Sequence, residues 1–167
     1  MTSAKDLQAL YDYCYWANEK LLDVVAQLTP EQFTQSVGGS YGSVRNTLVH
    51  VLSAEWGWLD RCGGVKRGPA LVATDYPTVT ALVDRWRQVE AYVREFLSSL
   101  SDEDLSRIVT FSLGSGQKYA NRLGDLMHHA AIHGIHHRGQ VSLLLRSLDQ
   151  VPGNFDILLY YGRNQTS

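Results

Sequence analysis

Four long segments of the chain repeat apolar residues at steps of three and four, which is the spacing of an amphipathic helix. They run from about residue 4 to 28, from 43 to 62, from 78 to 100 and from 122 to 148. Helices of this length joined by loops bury their apolar faces best against one another. The sequence therefore predicts an all-α fold, an antiparallel four-helix bundle.

The connections between these segments carry turn-forming residues. The first segment ends at a Thr-Pro pair, which predicts a short helical turn from Glu31. A glycine-rich loop over 36–43 precedes the second segment, with Ser43 as its N-cap. β-branched and aromatic residues flank a Gly-Ser-Gly turn in "RIVTFSLGSGQKYANRL". This pattern predicts a small β-hairpin, 108–111 paired with 117–120, before the fourth helix.

Composition narrows the classes of function. The 167 residues suffice for one domain over 1–167, and 44% of them are hydrophobic, as in ordinary globular proteins. A formal net charge of −2 argues against nucleic acid as a partner. No apolar run reaches the roughly 18 residues of a membrane span, and the first residues lack the apolar region of a signal peptide. Cys14 and Cys62 are far apart, which predicts free buried thiols and a cytoplasmic protein.

Five of the six histidines lie in one stretch of the fourth segment, "HHAAIHGIHHRGQ". A helix turns by about 100° per residue, so their directions can be compared with that of His133. His137 and His129 lie at about +40° and −40°, His136 near −60° and His128 near −140°. The apolar stripe of this helix passes through His133 and His137. These two imidazoles replace the aliphatic side chains that a plain bundle would place there.

Two imidazoles four residues apart on one helix face can share a metal ion. The alternative is a pair of core histidines, each hydrogen-bonded to a polar neighbour, which is the commoner environment of a single buried histidine. Two unsatisfied buried imidazoles would cost about 1–3 kcal/mol each, which favours the metal. His50, in the second segment, is the one remaining histidine and the natural third ligand. Three histidines with an open fourth position are typical of catalytic metal centres.

The directions of these side chains leave several assignments open. His136 competes with His137 as a ligand, because a spacing of three residues also places two imidazoles together. His129 or His136 could instead line a cavity. Gln140 lies one turn after His137. We expect its side chain to contact a ligand histidine without binding the metal itself. Arg138 points away from this face and is expected at the solvent or at a partner subunit.

Three parts of the chain carry a resemblance to a known family: "LYDYCYWANEKLLDVVAQL", "GSYGSVRNTLVHVLSAEWGWLDR" and "HGIHHRGQVSLLLRSL". In this order and spacing they are similar to the DinB superfamily of small four-helix metal-binding proteins, also called the YfiT-like fold. The resemblance covers almost the whole chain. It implies a three-histidine site at His50, His133 and His137, which decides against His136. It also implies a bound nickel or zinc ion and a homodimer.

Some relatives resemble thiol-dependent transferases, which implies a low-molecular-weight thiol such as bacillithiol, mycothiol or glutathione as a partner. We therefore expect a metal ion that activates a thiol or water nucleophile toward a small electrophilic substrate in the bundle cavity, as in a metal-dependent S-transferase or hydrolase. Aromatic residues are candidates for lining this cavity, although most such residues belong to the core of a bundle: Tyr11, Tyr15, Trp16, Trp58 and Tyr119.

Two other functions compete with the enzyme. One is a non-catalytic, stress-associated metal-binding protein of the same family, and the other is a metal-free bundle that acts as an interaction module. Three imidazoles accept zinc and nickel alike. Because ligand histidines must be neutral, metal affinity is expected to fall as the pH drops through about 6.

Overall fold

The computed structural model describes residues 3–39, 41–64, 66, 68–112 and 116–163. The helices are α1 (Ala4–Val25), α2 (Pro30–Thr34), α3 (Val44–Gly63), α4 (Val79–Ser98), α5 (Leu123–Arg146) and α6 (Ile157–Gly162), with 3₁₀ turns at Ala73–Asp75 and Asp104–Ser106. The strands β1 (Ile108–Ser112) and β2 (Lys118–Arg122) form an antiparallel hairpin before α5. The predicted all-α bundle with a small hairpin is confirmed.

Side-chain caps begin two helices where the sequence predicts them, α3 and α2. The Ser43 hydroxyl accepts a hydrogen bond from the backbone N–H of Asn46 at 3.1 Å and begins α3. Thr29 caps α2 in the same way, so the short turn after the first segment is confirmed. α1 ends at Val25, three residues before its predicted end. The reason is that residues 27 and 28 bond to carbonyls three residues back, in a tighter turn.

Each long helix of the bundle packs against two others. α5 contacts α1 and α3, and α4 contacts the same two helices. The fully buried side chains between them are mainly aliphatic: Leu7, Leu21, Leu48, Leu52, Leu59, Leu82, Leu123 and Leu145. Because α3 and α5 lie side by side, the histidine of the second segment comes to face those of the fourth.

Cys14 and Cys62 are both buried and free, as predicted. Over the described ranges, no helix combines the length and the apolar character needed to cross a lipid bilayer.

The hairpin lies beside α3. Phe111 of β1 pairs with Tyr119 of β2, and their rings stack with centroids 5.5 Å apart. Phe111 also meets Trp58 of α3 edge-on at 5.2 Å. The strands end at Ser112 and Arg122, one and two residues later than predicted. Most of the predicted Gly-Ser-Gly turn lies outside the described residues.

Arg138 contradicts the prediction that its side chain faces solvent or a partner subunit. It is only 3% exposed. Its guanidinium donates hydrogen bonds to the Cys14 carbonyl at 3.2 Å and to Asn18 Oδ1 at 2.6 Å. It also lies over the rings of Tyr13 and Phe155. The prediction is wrong because α1 covers a flank of α5 that the apolar stripe, taken alone, assigns to the outside.

Candidate metal centre

His50, His133 and His137 come together between α3 and α5 and form what we term the histidine cluster. The Nε2 atom of His133 is 3.1 Å from Nε2 of His50 and 3.0 Å from Nε2 of His137. One nitrogen from each ring lies within 4.8 Å of the other two. His137 is buried, and the other two side chains are partly buried. The cluster is a compact group of three imidazoles that could hold a metal ion.

The distances inside the histidine cluster fit a cation. Tetrahedral zinc–nitrogen bonds of about 2.0–2.1 Å place two ligand nitrogens roughly 3.3 Å apart, close to the observed separations. A single proton on His133 Nε2 can make one linear hydrogen bond, yet two other nitrogens lie within 3.1 Å of it. A cation satisfies all three lone pairs at once. The donor set therefore suits a divalent transition-metal ion.

Burial keeps two members of the cluster neutral. It lowers the pKa of His133 to about 4, with further lowering from the neighbouring His137 and His50. Burial also lowers the pKa of His50, and His137 contributes in the same direction. A neutral imidazole offers the lone pair that a metal requires. At neutral pH, His50 and His133 therefore have no proton to lose before a metal can bind.

Gln140 orients one ring of the cluster. Its Oε1 atom lies 2.7 Å from Nδ1 of His137 and accepts the proton there, which leaves the Nε2 lone pair of His137 facing the cluster. The Gln140 amide nitrogen donates to Nε2 of His136 at 3.1 Å. His136 is exposed and lies outside the cluster, against the edge of the His137 ring. It contacts the site through Gln140 and through this ring contact.

His129 and His128 also lie outside the cluster. The exposed His129 meets Trp58 edge-on, with centroids 5.2 Å apart, and its ring is 6.1 Å from that of His133. His128 is partly buried, further round the same helix. Of the five histidines in "HHAAIHGIHHRGQ", the structure thus brings two to the cluster and leaves three beside it.

Tyr41 is a fourth ring at the cluster, and helical spacing does not reveal it. Its ring stacks on His50 with centroids 4.1 Å apart, and its hydroxyl lies 2.9 Å from His50 Nε2. It also meets the His137 ring edge-on at 5.6 Å. The loop before α3 carries Tyr41 there, with Gly39 and Gly42 at positive φ angles of 77° and 80° that favour glycine. The "GSYGSVRN" part of the family resemblance is the one sequence signal for this residue.

Comparison with known proteins shows the family of the chain. Residues 1–166 match the DinB family. The chain belongs to the DinB family. It is 23% identical to Protein DinB of Bacillus subtilis (strain 168) over 164 residues, which covers 94% of each chain. It is 24% identical to the uncharacterized protein YizA of the same organism over 146 residues, covering 87% of this chain and 90% of that one.

The crystal structure of a DinB-like protein from Bacillus cereus ATCC 10987 has the same fold. Its TM-score to this chain is 0.74 at 23% sequence identity, and the match covers 92% of this chain and 97% of that one. DinB family membership and the histidine cluster are together compatible with metal binding.

A cavity of about 550 Å³ opens beside the cluster in this DinB-family chain. We call it the His50 cavity, and α3 and the following loop line it through His50, Ser53, Ala54, Gly57, Trp58, Asp60, Arg61, Gly68 and Ala70. Trp58 is thus an aromatic wall next to a cluster member. Tyr15 has other surroundings: it is 3% exposed, and its hydroxyl donates to Glu55 at 2.6 Å.

The remaining aromatic candidates contribute to packing. Tyr11 is buried and donates a hydrogen bond to the Met127 carbonyl at 2.9 Å. Trp16 packs edge-on against Tyr160 of α6, and Tyr119 stacks within the hairpin. Most of these rings therefore contribute to packing, as expected.

Glu55 is an acidic residue of α3, five residues after His50. Its carboxylate accepts the hydrogen bond from Tyr15 and is partly buried. Burial raises the pKa of Glu55 to about 7, although the Tyr15 hydrogen bond and the charge of Arg138 act in the opposite direction. A small cavity of about 20 Å³ lies among Glu55, Arg138 and Cys14. Near neutral pH this carboxyl group is balanced between its protonated and ionised forms.

Proposed function

We propose that this protein is a metal-dependent enzyme of the thiol-dependent transferase type, which holds nickel or zinc on His50, His133 and His137. One observation carries the proposal: His50 belongs both to the histidine cluster and to the wall of an open cavity. Three protein ligands beside open space are typical of catalytic metal sites. When bound, the ion would supply positive charge that lowers the pKa of a thiol or water molecule next to it.

The residues around the cluster support a role in binding and orientation. Gln140 keeps the proton of His137 on Nδ1, so that Nε2 faces the cluster. The Tyr41 hydroxyl lies 2.9 Å from His50 Nε2, where it could donate a hydrogen bond to a molecule bound at the metal. Trp58 offers an apolar wall for a small electrophilic substrate. These features suit a small organic molecule.

The alternative within the same family is a non-catalytic, stress-associated metal-binding protein. In that case the ion would be structural, its removal would lower the melting temperature strongly, and no small ligand would exchange at the site. The open cavity at His50 favours the enzyme over this alternative.

Elemental analysis of the purified protein tests the metal site. We expect about one nickel or zinc ion per chain in the wild type and a background level in His50→Gln. His128→Gln is the matched control, because it removes an imidazole of α5 that lies outside the cluster. Wild-type metal content in His50→Gln would contradict the site and would favour a metal-free interaction module.

Turnover separates the two metal-binding alternatives. The metal-loaded protein is incubated with a panel of low-molecular-weight thiols and a generic electrophile, and thioether formation is followed. Turnover with at least one thiol that disappears on metal removal supports the enzyme. Full metal loading without turnover, with thiols or with water as nucleophile, supports the non-catalytic alternative.

We also propose that two copies associate through the outer face of α5. Ile132, Ile135 and Leu143 are 54%, 36% and 67% exposed there and, with Gly139 between them, form what we term the outer stripe of α5. These positions lie within about 80° of one another around the helix. A two-fold arrangement places the same stripe of both copies in contact, and the glycine lets the two backbones approach closely.

A further inference from the structure

Arg61 lies along the wall of the His50 cavity. A Cβ atom at Gly57, one helical turn before it, would lie 2.9 Å from Nη1 of Arg61. The guanidinium therefore occupies the space that a side chain at position 57 would take. Its Cζ atom is 5.1 Å from the centroid of the Trp58 ring, within the range of a cation–π contact. The charge of Arg61 is thus held over α3 at the level of Gly57.

The surface under Arg61 is itself held in place. Trp58 meets Phe111 of the hairpin edge-on at 5.2 Å and His129 of α5 edge-on at 5.2 Å. The indole is therefore fixed by two other elements of the fold. A guanidinium that stacks on a fixed ring loses less freedom when a ligand binds, so more of the contact energy appears as affinity.

The position of this charge fits the length of a small ligand. His50, Gly57 and Arg61 all line the same cavity. Seven residues separate His50 from Gly57, which corresponds to about 10 Å along the helix axis. A molecule that reaches the histidine cluster with one end could contact the guanidinium with the other.

The charges of the cavity wall indicate the chemistry of that other end. Among the described residues that line the cavity, Arg61 is the one arginine or lysine side chain. Asp60 also lines the cavity. A phosphate dianion or another polyanion would carry more negative charge than one guanidinium neutralises. A single carboxylate matches both the charge and the planar, bidentate geometry of arginine.

We propose that Arg61 binds the carboxylate of a low-molecular-weight thiol whose sulfur lies at the histidine cluster. The inference rests on the proposed function, since it takes the ligand to be a thiol. Arg61 is then a residue that determines specificity at the far end of the His50 cavity, and Gly57 provides the space for it.

A matched set of thiols tests this subsite by binding, without any need for turnover. The probes are 6-mercaptohexanoate, 6-mercaptohexanol and 6-aminohexanethiol, which share chain length and differ in end charge. Each is titrated into nickel-loaded protein, and the sulfur-to-metal charge-transfer absorption gives the dissociation constant. We expect the wild type to bind the carboxylate about tenfold more tightly than the alcohol, and the amine most weakly.

Three substitutions separate charge from position. Arg61→Gln should abolish the preference for the carboxylate over the alcohol. Arg61→Lys should keep part of this preference, because a lysine makes no bidentate contact. Gly57→Ala keeps the arginine but displaces its guanidinium, so it should also reduce the preference. Alanine favours helix, so Gly57→Ala should not unfold α3. Arg87→Gln and Gly162→Ala, an exposed arginine and a helical glycine with open space around it, should behave as wild type.

The outcomes distinguish this inference from the proposed function. Equal wild-type affinities for the carboxylate and the alcohol would overturn the Arg61 subsite while leaving a thiol-binding metal site. A preference that persists in Arg61→Gln would also overturn it, because the carboxylate would then bind elsewhere. Metal-loaded protein that binds none of the three thiols would overturn the thiol-dependent function and the subsite with it.

Discussion

Gln140 determines which nitrogen of His137 is available to a metal. The amide oxygen accepts the Nδ1 proton, and the amide nitrogen is occupied by His136. Because both ends of the amide are engaged, its orientation is fixed. A ligand histidine held through its second nitrogen by a polar neighbour is the usual arrangement in metal sites.

Replacing Gln140 with leucine should weaken metal binding about tenfold, because the His137 tautomer is no longer held. Gln140→Glu retains an acceptor for the Nδ1 proton and should keep the affinity. Competition with a chromophoric chelator at pH 7 measures the metal affinity of each variant. Equal affinities for wild type and Gln140→Leu would show that this side chain does not orient the ligand.

Glu55 makes the stability of the fold depend on pH. Its pKa is about 7 in the folded protein, against an ordinary value of 4.5, so the unfolded chain ionises first. The stability from the neutral carboxyl group is fully present below about pH 4.5 and is lost as the pH rises to about 7. In Glu55→Gln this loss should disappear. Its free energy of unfolding, relative to that of the wild type, should therefore be higher at pH 8 than at pH 4 by roughly 3 kcal/mol.

Denaturant unfolding of metal-free protein at a series of pH values measures this effect. The difference in free energy of unfolding between wild type and Glu55→Gln gives the contribution of Glu55 alone, because the histidines contribute equally to both proteins. Glu95→Gln, at an exposed carboxyl group of α4, is the matched control for removing a carboxylate from the surface. A flat difference for Glu55→Gln would mean that burial does not raise the pKa of this carboxyl group.

Residues on a regular helix face could be predicted, and residues placed by their neighbours could not. His133 and His137 lie on the three- and four-residue steps of α5, and the family resemblance decides against His136. His50 is predicted because it is the one histidine outside that segment. Tyr41 comes from a loop whose path depends on two glycines at positive φ. Arg138 is buried by α1, and the apolar pattern of α5 does not show how wide an arc of that helix its neighbours cover.

At the scale of elements, the periodic segments and their caps predict the helices to within a few residues. The hairpin is predicted from its β-branched and aromatic residues, and its strands differ from the prediction by one or two positions. The role of the hairpin could not be predicted. Through Phe111 it fixes Trp58 at the wall of the His50 cavity, a contact between elements far apart in sequence.

α5 carries apolar residues on its outer face as well as on its core side. The outer stripe therefore leads to a prediction about the dimer. Leu143→Glu should convert a dimer to a monomer, because it places a charge within the outer stripe, where the two copies would meet. Sedimentation or light scattering gives the mass, and metal content should not change. Leu158→Glu introduces the same charge at a 72% exposed leucine of α6 and should leave the dimer intact. A monomeric wild type would contradict the proposal.

At the scale of the whole molecule, the histidine cluster joins two helices that are far apart in the chain. His50 belongs to α3 and the other two histidines to α5, so a bound ion would link the two sides of this helix pair. An ion that binds the folded protein and not the unfolded chain stabilises the fold by mass action. The melting temperature of this bundle should therefore depend on metal, and through the ligand histidines on pH.

Two effects of pH on that stability have the same sign. In metal-free protein the pKa of His133 is about 4, below its ordinary value of 6.5, so the unfolded chain takes up protons first and stability is lost as the pH falls from 6.5 toward 4. Protons also compete with the metal for the imidazoles. Because the folded pKa values of His133 and His50 are lowered, metal should be retained somewhat below pH 6 and released by about pH 4.

Thermal melts with and without added metal, at pH values from 8 to 4, measure this dependence. The gain in melting temperature from metal should be largest at neutral pH, decline below pH 6 and vanish near pH 4. His133→Gln should show little gain at any pH, because it removes the nitrogen that lies closest to both other ligands. A wild-type gain that is unchanged at pH 4 would exclude imidazole ligation, since protonated imidazoles bind no metal.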